Sequence, residues 1–192
     1  MRRIAIIQGH PDPAGGHFSH ALADAYAEGA SAAGHQVRRI EVATLGVPLL
    51  QTQADFEHGV PPPAIAAAQE TLRWAEHWVM VWPLWLGTMP AVLKGFLEQT
   101  CRPGFAFRYG GRMPEKLLKG RSARIVVTMG MPPLLFRWWF GAHGLKALER
   151  SILGFIGIGP IRETLIGGVG ALDAAKAAAW LARLRALGER AA

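Results

Sequence analysis

Arg3-Ile-Ala-Ile-Ile-Gln-Gly9 is a short, nearly unbroken apolar run that stops at a glycine. Such a run has no polar side to turn to water, so it reads as a strand covered on both faces, the pattern of a parallel sheet rather than a half-exposed antiparallel one. A chain of 192 residues, 51% apolar and 18% charged, has the core to cover it. Tails, fibres and low-complexity arrays are excluded by the same figures, and the whole of 1–192 is expected to be one domain.

Further strands are expected at Gln36–Val42, Trp78–Trp82, Ala123–Met129 and Ile161–Ile166. Between them the apolar spacing switches to that of helices: Phe18 to about Ala33, Pro63 to about Ala75, a helix opened by Pro90 with Val92, Leu93, Phe96 and Leu97 on one face, Leu145 to Leu153, and Leu172 to about Leu187. Residues 43–62 have no period and are expected to be a long connection. Residues 102–122 are expected to be a loop, and Leu134–Phe140 an aromatic-rich stretch. Five strands alternating with helices, joined by right-handed crossovers, give a three-layer, doubly wound α/β sheet with order 2-1-3-4-5. In such sheets ligands bind beyond the carboxyl ends of the strands at the switch point. The loops to examine are therefore residues 9–19, 83–90 and 128–143.

The first loop is glycine-rich and runs into a helix N-terminus, where open backbone amides and the dipole favour an anion; His10, His17 and Ser19 can add donors. It has neither the three spaced glycines of a dinucleotide fingerprint nor a Walker lysine. His17 and His20 lack the cysteine or paired carboxylate that would make a metal site, and no metal is expected. The second loop, Pro83-Leu-Trp-Leu-Gly-Thr-Met-Pro90, sets large apolar side chains on backbone held by two prolines, as a flat aromatic ring docked against main chain requires. The third, Thr128-Met-Gly-Met-Pro-Pro133, brings a threonine and a glycine to the same edge. No nucleophile elbow, carboxylate pair or oriented base is present, so a cofactor is expected to carry the reaction.

Charge divides unevenly. Residues 1–101 hold six basic and nine acidic side chains, net −3; residues 102–192 hold fifteen and five, net +10. Seven basic residues from Arg102 to Arg124, Arg112 among them, face only Glu115 and make a local positive field for an anionic molecule or surface. Nucleic acid is not expected, for want of a helix-turn-helix spacing or an aromatic-interleaved basic strand. One cysteine, Cys101, cannot form an internal disulfide. No export signal or membrane span is read, and the cytoplasm is the expected compartment.

The sequence resembles the flavodoxin-like NAD(P)H:quinone oxidoreductases, of the bacterial NAD(P)H dehydrogenase (quinone) type, over nearly the whole chain. The words that carry the resemblance are Gly9-His-Pro with Phe18-Ser19, then Pro83-Leu-Trp-Leu-Gly-Thr-Met-Pro-Ala-Val-Leu-Lys-Gly-Phe96, then Pro103-Gly-Phe-Ala-Phe107 with Tyr109, and Ala147–Gly154. The resemblance implies a bound flavin, FAD or FMN undecided, and ping-pong hydride transfer from NAD(P)H to quinones. It implies that His10, Phe18, Ser19 and Ala21 hold the flavin's phosphate end, that Pro83, Leu84, Trp85, Leu86 and Gly87 cradle its ring, and that Thr128, Met129 and Gly130 close on its pyrimidine side. Phe107 and Tyr109 would reach across a homodimer to cover the ring, with His143 and Tyr109 as catalytic side chains. Two departures stand out: Thr128-Met-Gly130 where relatives often have Thr-Gly-Gly, and Phe136 near a position where they commonly carry Tyr. A second reading, a flavin-binding accessory subunit of a potassium-efflux transporter or membrane surface, is expected to show as exposure of Trp138 and Trp139.

Overall fold

The structure is a computed structural model and describes residues 1–111 and 113–192. Arg112, counted above in the basic stretch, lies outside the described residues. Five parallel strands, β1 (Arg3–Gln8), β2 (Gln36–Glu41), β3 (His77–Pro83), β6 (Ser122–Thr128) and β7 (Ile161–Ile166), form one sheet in the order β2-β1-β3-β6-β7. This is the expected 2-1-3-4-5 order. A separate two-stranded antiparallel piece, β4 (Phe107–Arg108) with β5 (Glu115–Lys116), lies where an unstructured loop was expected.

Alternation along the strands sorts the core into two layers. Ile4 and Ile6 of β1, with Val79 and Val81 of β3, point to α1 (Phe18–Ala32) and α8 (Ala174–Glu189), where they meet Leu22, Tyr26 and Leu184. Ala5, Ile7, Trp78, Met80 and Trp82 point the other way, to α3 (Pro63–Trp74), α4 (Ala91–Thr100) and the helical run from residue 143. Both tryptophans of β3 are fully buried, as the run of apolar residues required. Helices α1 and α8 touch backbone to backbone: a Cβ on Gly29 would fall 2.0 Å from the Arg185 carbonyl oxygen, and one on Gly188 would fall 2.1 Å from that of Tyr26. Only glycine permits that approach.

Three further segments differ from expectation. The connection 43–62 contains a helix, α2 (Gln53–His58), whose Thr52 cap accepts from the Asp55 amide at 3.1 Å. The aromatic stretch forms α5 (Pro133–Trp138), anchored by buried Phe136. The helix placed at 145–153 is longer and changes type: α6 (His143–Lys146) passes into a π-helical segment, Ala147–Leu153, and then into α7 (Gly154–Ile156). Periodicity in sequence cannot separate a π segment from an α one, and such segments often lie beside functional sites.

Candidate functional site

The carboxyl ends of β1, β3 and β6 bring the three loops together. The Gly9 amide donates to the Val81 carbonyl at 2.8 Å, and the Leu84 amide to that of Thr128 at 2.7 Å. His10 and Trp85 approach edge to face, their ring centroids 6.2 Å apart.

Gln8 holds the first loop. Its buried side chain donates from Nε2 to the Ser19 carbonyl (3.0 Å) and accepts at Oε1 from the His10 amide (3.0 Å), clamping the end of β1 to the first turn of α1. His10 Nδ1 accepts from the Asp12 amide (3.1 Å), which leaves the proton of the neutral ring on Nε2. Burial, then the neighbouring His17 and His20, push the His10 imidazole down to about 4, with Asp12 opposing. His17 stacks on His10 at 3.9 Å, and its Nε2 lies 2.7 Å from Asp12 Oδ2; that contact holds the Asp12 carboxyl below its ordinary range.

The chain then bends into α1 through Gly15 and Gly16, both left-handed at φ 73° and 76°. Among the described residues the amides of Gly16, His17, Phe18 and Ser19 have no acceptor, the buried Ser19 hydroxyl has no partner, and the first turn of α1 carries no acidic side chain. An array of open donors at a helix N-terminus is what an anion such as phosphate neutralises. Phe18 and Ala21 are half-buried beside it, and the Ala21 amide is already bound to the His17 carbonyl at 3.3 Å.

In the second loop Trp85 and Thr88 exchange both backbone hydrogen bonds, at 2.9 and 3.0 Å, closing a tight turn around Leu86 and Gly87. Leu86 sits at φ 48° and Gly87 at φ 80°. A leucine in left-handed backbone is strained, and strain of this kind clusters at functional sites. Trp85 is half exposed and Leu86 fully so. Because Leu84, Trp85 and Thr88 have committed their amides, the donors this loop leaves free are those of Leu86, Gly87 and Met89. Below the turn, an apolar concavity of about 530 Å³ runs from Trp85 and Met89 to Leu148 and Ile152.

The third loop divides its roles. Met129 is buried, its amide donates to the Ile166 carbonyl (2.8 Å) and its carbonyl accepts from Val169 (3.2 Å), so its backbone is tied to the β7 side. Thr128 is buried beside it, and exposed Gly130 keeps an open amide. Phe136 points into the core rather than to the loops.

His143 is exposed at the start of α6, following Gly141 and Ala142, both left-handed at φ 65° and 49°. The next residue, Gly144, packs directly on Gly87 and Thr88, while the His143 imidazole folds back on Gly141, where an added Cβ would fall 2.5 Å from its Nε2. Phe107 is buried, with its ring edge-on to Phe155 (5.0 Å) and Tyr109 (5.2 Å); Tyr109 is 57% exposed. These rings line a second apolar cleft, of about 320 Å³, that shares Lys94 and Ile152 with the first. Cys101 also lines it, but burial pushes its thiol up to about 11, where it is no nucleophile.

Sequence reasoning missed Gln8 as the clamp of the first loop, although a polar residue closing an apolar run was a visible signal. It missed Gly144 as the contact between α6 and the second loop, for which the sequence holds no signal.

Over residues 2–188 the chain matches the family described as flavodoxin-like fold, and it belongs to that family. It is 28% identical over 194 residues to FMN-dependent NADH:quinone oxidoreductase 3 of Bacillus anthracis, covering 89% of each chain. A shorter match, 39% over 70 residues, is to the ribosyldihydronicotinamide dehydrogenase-like protein traD of Penicillium crustosum; it takes in 32% of this chain and only 26% of that protein. Among solved structures, the NAD(P)H:quinone oxidoreductase from Methanothermobacter marburgensis superposes with a TM-score of 0.82 at 22% identity, over 98% of this chain and 96% of that one.

Proposed function

We propose that this chain is a flavin-dependent NAD(P)H oxidoreductase acting on quinones and similar flat electrophiles, with FMN as its flavin, working as a homodimer. The observation that carries the reading is the convergence of two sets of unpaired donors at the carboxyl ends of β1 and β3: the amides of residues 16–19 with the Ser19 hydroxyl, and the amides of Leu86 and Gly87. The first set fits a phosphate, and the second fits the polar rim of a planar ring. The name of the full-length Bacillus relative favours FMN and NADH.

Bound there, the flavin supplies a two-electron carrier able to take hydride from a nicotinamide and give it to a quinone. His10, Phe18, Ser19 and Ala21 surround the phosphate end, with His10 Nε2–H and the Ser19 hydroxyl as side-chain donors. Leu86 and Gly87 hold the ring through backbone; Pro83, Leu84 and Trp85 shape the wall around them. Gly130 contributes an amide on the far side, with Thr128 and Met129 behind it. His143, next to Gly144 on the rim of the second loop, holds or releases a proton at Nε2. Tyr109, with Phe107 packed behind it, offers an aromatic surface that excludes water; in the dimer it covers the partner's site. Its Oη is the other proton-bearing group. The cytoplasm completes this reading, with a single buried thiol as its support; no described helix is long and apolar enough to cross a membrane.

Trp138 and Trp139 are 84% and 80% exposed, the outcome that the accessory-subunit reading asked for. The relatives carry oxidoreductase names, and none of those reported lends the transporter reading support.

The test is steady-state kinetics of the FMN-loaded protein with NADH or NADPH against a benzoquinone. Parallel double-reciprocal lines are expected, and His143→Gln should lower kcat by about a hundredfold. An FMN-loaded protein that oxidises neither nucleotide in the presence of quinone would refute the reading.

A further inference from the structure

At the opposite end of the sheet, beside the amino ends of the strands, lies a pocket of about 330 Å³ that has no part in the site above. Arg2, His77, Ser122, Arg162 and Arg190 line it, and no lining residue is acidic. Arg124 stands against it, 5% exposed, giving one nitrogen to Thr164 Oγ1 at 2.7 Å and another to the main-chain oxygen of Ala192.

Four arginines therefore gather here, and among the described residues none of Arg2, Arg124, Arg162 and Arg190 forms an ion pair with a side-chain carboxylate, whereas Arg3, Arg39, Arg137 and Arg185 each do. The neighbouring Glu76 is taken by Arg3, through its guanidinium at 3.5 Å and its amide at 3.0 Å. Of the four only Arg124 is buried, and a buried arginine without a carboxylate partner is rare in proteins. The C-terminal dipole of α8 offers about half a negative charge, and a carboxylate on Ala192 would offer one more, so roughly two and a half positive charges remain unmatched.

His77 supplies a second, independent observation. It is 3% exposed, its Nδ1 lies 2.8 Å from Ser122 Oγ, and its Nε2 is buried with no hydrogen-bond partner. Burial, then the charges of Arg2, Arg124 and Arg162, push this imidazole down to about 4, so at neutral pH it is an uncharged ring; with Ser122 Oγ donating to Nδ1, its one proton sits on Nε2. A buried polar atom without a partner, beside arginines that no carboxylate neutralises, is the signature of a missing ligand.

We propose that this pocket is a second ligand site, for a small phosphorylated molecule whose phosphoryl oxygens are held by Arg2, Arg162 and Arg190, with His77 as the buried donor. A dianion matches the unmatched charge better than a single carboxylate does, and guanidinium groups bind phosphoryl oxygens in pairs.

The test is calorimetric titration of the full chain with pyrophosphate and with inorganic phosphate, at an ionic strength fixed with sodium chloride. The first loop is kept filled with FMN, or blocked by Ser19→Asp, so that it cannot take the oxyanion. One pyrophosphate per chain is expected. Arg162→Ala and Arg190→Ala should each weaken it about tenfold. Both side chains are exposed, so their loss should leave the thermal midpoint and the flavin content unchanged. The proposal is overturned if pyrophosphate gives no more heat than chloride, if both arginine variants bind it as the parent does, or if blocking the first loop abolishes binding. A short DNA duplex that binds with the same arginine dependence while pyrophosphate does not would overturn the assignment to a small molecule.

Discussion

Gly144, at the start of α6, rests on Gly87 in the turn of the second loop so closely that a Cβ there would lie 2.5 Å from the Gly87 carbonyl oxygen and 2.7 Å from Thr88 Cα. Backbone meets backbone, and neither side can swing away. Gly144→Ala should therefore displace the 85–88 turn, costing about 1–3 kcal/mol of stability and weakening flavin retention. Gly170→Ala, where an added Cβ meets nothing within 4 Å on an exposed turn, should change neither. Thermal melts and flavin fluorescence of the two variants decide it; equal behaviour would show the contact to be unimportant.

Leu86 holds φ 48° with its side chain wholly in solvent, so its conformation is imposed by the turn and not rewarded by packing. Glycine adopts that backbone without strain and alanine does not. Leu86→Gly should thus be more stable than Leu86→Ala by about 1 kcal/mol in urea unfolding. A reversed order would mean that the turn is not left-handed in solution.

Strands β1, β3 and β6 were legible because each is a run of apolar residues short enough to be nothing else, as at Trp78–Trp82; the edge strands β2 (QVRRIE) and β7 (IRETLI) carry charged residues and were legible only from their place between helices. Helix α2 is signalled by its Thr52 cap and Asp55, but its six residues lack an apolar period. The left-handed turn at Leu86 was not legible, because only Gly87 hints at it and leucine argues the other way. The β4–β5 hairpin has two residues per strand and is held by remote contacts, Leu117 to Ala106 and Leu118 to Ile156, that no local pattern encodes. The same holds in the third loop: that Met129 has both backbone groups tied to the β7 side depends on where Ile166 and Val169 fall. The site residues could be named from sequence; which of their amides remain free could not.

Two buried histidines set the acid response. His10 and His77 both lie near 4 in the folded chain against an ordinary 6.5, so the unfolded chain takes up protons first, and stability present above pH 6.5 is lost as pH falls towards 4. Glu149 works in the opposite sense. Burial and a hydrogen bond to Glu163 raise it to about 7 from 4.5, so its contribution is present below pH 4.5 and is lost as pH rises through 7. His10→Asn should flatten the fall in urea midpoint between pH 6.5 and 4. Glu149→Gln, which keeps the shape and never ionises, should raise the midpoint at pH 8 more than at pH 5. Parallel pH profiles for parent and variants would contradict these assignments.

Flavin binding at the ends of β1 and β3 is the property on which the proposed chemistry rests. The most direct measurement is to titrate flavin-free protein with FMN and with FAD, following quenching of flavin fluorescence, alongside Ser19→Asp. One FMN per chain is expected, with a yellow complex that survives gel filtration; the charge added beside the open amides of α1 should weaken it by at least about tenfold. Protein that remains colourless with either flavin, or a Ser19→Asp variant that holds FMN as tightly as the parent, would contradict the account.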